Sequence, residues 1–237
     1  MGLSTSYCCK ERDDRLLGYQ SVRASRPDHR RFELARAQND IGSLIHLLRS
    51  TEALPKSNRV THHPWAKAPE TVGPLVAAHL AVIVSSSKTV HETDFMVETM
   101  VKELVSLARS PGLDRLHAGV VSLGFLTEKS KVAAIQLANA EFEPDIQRCL
   151  MSGSVGLELT AVALLRNICK YSREYCVKPI IGIAVNVLHD IIASSLALRN
   201  AQSSDNILEC LQILVDLSEE PEGPLHSKVT SGDFPVR

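Results

Sequence analysis

Apolar residues first take up a regular rhythm at Phe32. Phe32, Leu34, Ala35, Ala37, Ile41, Leu44, Ile45, Leu47 and Leu48 recur at threes and fours, the spacing of one helix face or of a broken helix pair. Asn39-Asp40 is a candidate cap for the second helix, because a short oxygen-bearing side chain accepts hydrogen bonds from the opening N–H groups. Ile41, Leu44, Ile45 and Leu48 then share a face. From Leu54 to Val72 the rhythm is lost: Pro55, Pro64 and Pro69 remove backbone donors and block the preceding turns, so residues 54–72 read as a long loop. Helix-length segments follow at Pro74 to Val84, Asp94 to Arg109, Asp114 to Leu126, Lys131 to Ala140, Glu143 to Met151, Val155 to Tyr171, Pro179 to Leu198 and Asp205 to Leu217. Ser, Gly, Pro or charged breaks separate them.

One submotif returns along these helices, an Ala- and Leu-rich stretch ending in an aliphatic pair three apart. It reads Ala77 to Ile83, Ala118 to Leu126, Ala161 to Ile168 and Cys210 to Leu217. The first members of the pairs, Leu80, Leu123, Leu165 and Leu214, stand 43, 42 and 49 residues apart. That falls close to the period of about 40 to 47 residues at which stacked helical repeats recur. The pattern divides the chain into a flexible tether at 1–31, a helical repeat domain at 32–217 containing the 54–72 loop, and a disordered tail at 218–237 carrying Pro221, Gly223, Pro224, Gly232 and Pro235.

Composition agrees with helix-on-helix packing. Aromatics are 4% of the 237 residues, too few for an aromatic-rich sandwich, while aliphatic side chains are abundant. The formal net charge of -1 offers no global field to attract nucleic acid, and none is expected as a partner. No apolar run reaches the roughly 18 to 20 residues that cross a bilayer, and no apolar stretch of signal-peptide length precedes Lys10 to Arg15, so a cytosolic chain is expected. Of six cysteines, Cys8 and Cys9 are adjacent at the start, whereas Cys149, Cys169, Cys176 and Cys210 fall on apolar helical patterns, where reduced thiols pack as small hydrophobes.

The first residues carry a modification signal. Met1-Gly2-Leu3-Ser4-Thr5-Ser6 fits N-myristoylation on Gly2, and Cys8-Cys9 places two thiols within reach of an interfacial acyltransferase for palmitoylation. One myristoyl chain binds membranes with a constant on the order of 10⁴ M⁻¹, whereas a second acyl chain makes residence stable. Lys10 to Arg31 adds seven basic against four acidic residues, a weak further attraction to anionic lipid. A zinc site on Cys8 and Cys9 would need further ligands nearby, and the nearest histidine is His29.

The repeat resembles the armadillo family, whose second helix would carry an Ala-x-x-Ala-Leu-x-Asn-Leu type ending. Thr160 to Ile168 is the best copy, with Asn167 in the Asn position, and the other copies lack it. The resemblance implies an all-α, right-handed α-solenoid of armadillo/HEAT-like repeats and a protein partner, held on the concave face or the exposed C-terminal end. Phe95 to Leu107, Phe142 to Leu150 and Ile180 to Leu196 would be the third helices lining the concave face. Gly2 and paired cysteines ahead of such repeats look like the layout of dually acylated armadillo proteins of the vacuole-anchoring and armadillo-repeats-only kinds. That likeness implies a scaffold on the cytoplasmic face of a membrane, in organelle positioning or contact. The alternative is a soluble helical-repeat adaptor without a lipid anchor. Nuclear-import adaptors of the family use Trp and Asn ladders on the third helices, but the sole Trp here, Trp65, falls in the 54–72 loop.

Candidate chemistry is sparse. No phosphate-cradling glycine loop, nucleophile elbow or metalloprotease helix signature is present. His62 and His63 beside Trp65 are adjacent in sequence, which seldom lets both face one ion. Cys169 and Cys176 lack the Cys-x-x-Cys spacing that activates a thiol, and His79, His91, His117 and His189 are scattered over different segments. A non-enzymatic protein with no cofactor and no metal is expected.

Overall fold

The computed structural model describes residues 27–54, 69–88, 90, 91, 93, 95–172, 175, 179–198, 208 and 211. Among them the helices are α1 (Pro27–Gln38), α2 (Ile41–Leu47), α3 (Val72–Ser86), α4 (Val97–Arg109), α5 (Leu113–Lys129), α6 (Lys131–Asn139), α7 (Glu143–Leu150), α8 (Val155–Cys169) and α9 (Pro179–Leu198). Of the expected Asp205 to Leu217 helix only Leu208 and Leu211 are described, both helical and exposed; the rest, with the 218–237 tail, lies outside the described residues.

Local chemistry sets the boundaries. The α1 helix opens at Pro27, ahead of Phe32, where the apolar rhythm begins, because a distant segment caps it. The Glu52 carboxylate accepts the N–H groups of Asp28 (2.8 Å) and His29 (3.2 Å), and the Ser50 hydroxyl donates to Asp28 Oδ2 at 2.8 Å. Such long-range capping leaves no periodic apolar signal at residues 27–31. Asn39 turns the chain in the left-handed region at φ 55. Asp40 then caps α2 as expected, its carboxylate taking Ser43 N–H at 3.0 Å and the Ser43 hydroxyl at 2.7 Å. At the next breaks, α3 includes Pro74 in its first turn, where a missing N–H costs nothing, and Ser130 ends α5 while its hydroxyl accepts Ala133 N–H to start α6.

The helices stack in order. One layer is α3 on α5 on α8. The Ser122 hydroxyl of α5 donates to the Ala77 carbonyl of α3 at 2.8 Å, and the Asn167 amide of α8 donates to the Gly124 carbonyl of α5 at 3.3 Å. Alongside runs a second layer in which α2 packs on α4 and α7 on α9, with α1 against α2 and α3, and α6 bridging α4, α5 and α8. Ion pairs and a hydrogen bond cross this second layer: Arg49 chelates the buried Glu103 carboxylate, Arg109 Nε donates to Asp145 Oδ2 at 2.9 Å, and Arg148 donates to the Ala108 carbonyl at 2.8 Å. A single apolar core extends from Phe32 to Ile191. Each helix pair alone would leave an apolar face open, so burial comes from the neighbour along the stack.

The motif carries the period of the stack but not its phase. The complete triplets α1–α2–α3 and α6–α7–α8 each end in the Ala- and Leu-rich helix, so the motif sits on the third helix and not on the expected second. Phe142 to Leu150, expected as a third helix, therefore forms the middle helix α7, and α4 and α9 occupy the same second layer.

By length and composition, α9 is apolar enough to cross a membrane, contrary to the expectation that no segment is. The averaged composition hides its sidedness. Ile180, Ile181, Ala184, Leu188 and Ile191 are buried against α7 and α8, while Asn186, His189 and Asp190 are exposed, the pattern of a solenoid helix packed on one side.

Candidate protein-interaction face

The α3–α5–α8 layer has one side open to solvent, and the repeat register shows what lines it. Two residues after Leu80, Leu123 and Leu165 stand Val82, Phe125 and Asn167. Val82 is 47% exposed and Phe125 half-buried, flanked by the half-buried Ala78 and Ala118, so the strip across α3 and α5 is apolar and uncharged. On α8 the strip continues through Ala163 and ends at Arg166 and Lys170.

Asn167, the residue that matches the family's Asn, is turned away from this surface. It is 7% exposed, its amide donates to the Gly124 carbonyl and to Thr127 Oγ1, each at 3.3 Å, and its Oδ1 accepts from Arg166 at 3.3 Å. Both ends of the amide are engaged, so the side chain joins α8 to α5 rather than waiting for a peptide backbone. Sequence reading singled out Asn167 and passed over Val82 and Phe125, although extending the register by two positions points to both.

A concavity of about 770 Å³ lies between α4 and α6 with Glu98, Lys102, Arg109 and Gln136 on its walls. Arg109 is held there by Asp145 and by the carbonyls of Ala140 and Glu141, both at 3.0 Å. It serves as a staple between units.

The scattered histidines and cysteines do not converge. His79 of α3 meets Phe32 edge-on at 5.8 Å, His117 is buried in α5, and His189 is exposed beside Asp190. Burial pushes the Cys149 thiol up to about 12, which keeps it protonated and unreactive at neutral pH, and Cys169 is buried too. Among the described residues no three His, Cys, Asp or Glu side chains are placed to hold a metal ion. Gly2, Cys8 and Cys9 lie outside the described residues, as do Trp65, His62, His63, Cys176 and Cys210.

The chain superposes on the armadillo repeats only protein from Plasmodium falciparum with a TM-score of 0.59 and 22% sequence identity, over 86% of this chain and 95% of that one. The fold is the armadillo-repeat solenoid. No family model and no curated protein matches the sequence.

Proposed function

We propose that this armadillo-fold chain is a protein-interaction scaffold held on the cytoplasmic face of a membrane by acyl chains on Gly2 and on Cys8 and Cys9. Its role is to position or connect an organelle. The observation that carries the binding half is the apolar, uncharged Val82–Phe125 strip on the α3–α5–α8 layer. A surface of this kind favours an apolar segment of a partner, a helix or an extended strand, over a basic peptide. The membrane half rests on the N-terminal sequence, in which Gly2 with Ser6 supplies one acyl site and Cys8-Cys9 supplies the second signal that stable residence needs.

Cell fractionation tests the anchor. Gly2→Ala should move the protein to the soluble fraction, and Cys8→Ser with Cys9→Ser should leave only weak, reversible membrane association. An unchanged membrane fraction for Gly2→Ala would reject it. For the binding half, a photo-crosslinking residue at position 82 should capture a discrete partner that is lost on Phe125→Glu. The same partner captured equally from the α4–α6 concavity would move the site elsewhere.

A further inference from the structure

The opening helix α1 faces two ways. Phe32 and Ala35 are buried against α2 and α3, whereas Pro27, Arg30, Arg31 and every residue from Glu33 to Gln38 other than Ala35 are exposed. Leu34 stands in the middle of that outer face, 60% exposed and flanked by Arg30 and Arg31. Beside it a groove of about 550 Å³ opens between α1 and α2, with Arg31 and Leu34 on one wall and His46 and Arg49 on the other.

The acidic residues near this face are largely occupied by the fold. Both Asp40 oxygens cap α2 through Ser43. Asp28 takes the Ser50 hydroxyl at 2.8 Å and only a long contact of 3.5 Å from Arg31. Glu103 is buried beneath Arg49, and Glu33, half exposed, lies 4.0 Å from Arg36. Arg30 and Arg31 thus present charge outward around an exposed leucine, and α1 is the first helix after the N-terminal residues 1–26.

We infer that the outer face of α1 is a second membrane contact, in which Arg30 and Arg31 engage anionic lipid headgroups and Leu34 enters the interface. The inference deepens the proposed anchoring: acyl chains would set residence, and this helix would set the orientation of the solenoid, with its α1 end towards the lipid. Charge complementarity and continuity with the acylated segment favour a bilayer over a protein partner at this face. A cationic residue is attracted to an anionic leaflet, and the attraction fades within a Debye length and therefore with salt.

The test uses the full chain carrying Gly2→Ala, so that no myristoyl chain contributes, sedimented with phosphatidylcholine vesicles with and without phosphatidylserine. Binding should require phosphatidylserine, weaken with added salt, and fall roughly tenfold or more in Arg30→Gln with Arg31→Gln. Lys129→Gln with Lys131→Gln makes the same charge change at the α5–α6 junction, where both side chains are exposed, and should leave binding unchanged. All four side chains reach the surface, and a matching unfolding midpoint verifies the fold of each variant. Equal losses in the two double variants, or no loss in the first, would overturn the inference. Binding by the first variant's parent to phosphatidylcholine alone would do the same. Intact mass of the cell-made protein reports acylation separately, so failure of the anchor and failure of this face are told apart.

Discussion

At the scale of single residues, close backbone approach and buried charge decide the most. A Cβ on Gly73 would lie 2.5 Å from the Leu48 carbonyl oxygen and 2.9 Å from that of Ser50, both main-chain atoms that cannot rotate aside. Gly73→Ala should therefore destabilise the fold by about 1–3 kcal/mol in urea unfolding, through overpacking. Gly119 is similarly confined, its Cβ position 2.8 Å from the Ala108 Cβ and 3.0 Å from the Leu104 carbonyl, and Gly119→Val should cost at least as much. Glu103 yields a pH prediction. The Arg49 hydrogen bonds hold its carboxyl below the usual carboxylate range, outweighing burial. The stability it contributes is thus present above its unfolded value of about 4.3 and is lost as pH falls through the lower folded value. Acid unfolding of Glu103→Gln should show a shallower pH dependence below that point than the parent, and an identical slope would count against the pairing. Cys149, with its thiol pushed up to about 12, should resist alkylation in the folded chain at neutral pH and react on denaturation.

Helices and their junctions show what the sequence discloses and what it conceals. The Asn39-Asp40 break and most helix spans were legible, because apolar spacing and capping chemistry are local and both act within a turn or two. The start of α1 at Pro27 was not, since Glu52 and Ser50 supply its caps from beyond α2. The phase of the repeat was also hidden: an Ala- and Leu-rich helix looks the same whether it ends a unit or stands in its middle. Asn167 shows the same limit at the candidate face. Its position in the motif is readable, but the direction of its amide depends on Gly124 and Thr127, which lie one unit earlier. Asn167→Ala should cost about 1–3 kcal/mol, because it removes hydrogen bonds across the α5–α8 junction where the groups left behind are screened from water. The denaturant midpoint should fall while Val82 and Phe125 keep their exposure. A variant as stable as the parent would count against Asn167 joining α8 to α5.

For the whole molecule, stability is distributed along the stack, since α5 touches α3, α4, α6 and α8 and none of the described helices stands alone. Losses on α5 should accordingly spread in both directions, whereas Val82→Glu, at an exposed position of α3, should abolish partner binding with little change in unfolding. Comparing those two readouts separates a binding surface from a structural one. The junction between α2 and α3 has a practical use of its own. Ala53 and Thr71 form an isolated antiparallel bridge, with Leu54 N–H donating to the Glu70 carbonyl at 2.8 Å and Val72 N–H to the Glu52 carbonyl at 2.9 Å. Such a clasp fixes the two strand ends whatever lies between them, and doubling an inserted length adds only about 0.6 kcal/mol of closure entropy. A fluorescent reporter spliced between positions 55 and 68 should leave the solenoid intact, giving a beacon near the α1 end from which the tilt of the protein on a supported bilayer can be read.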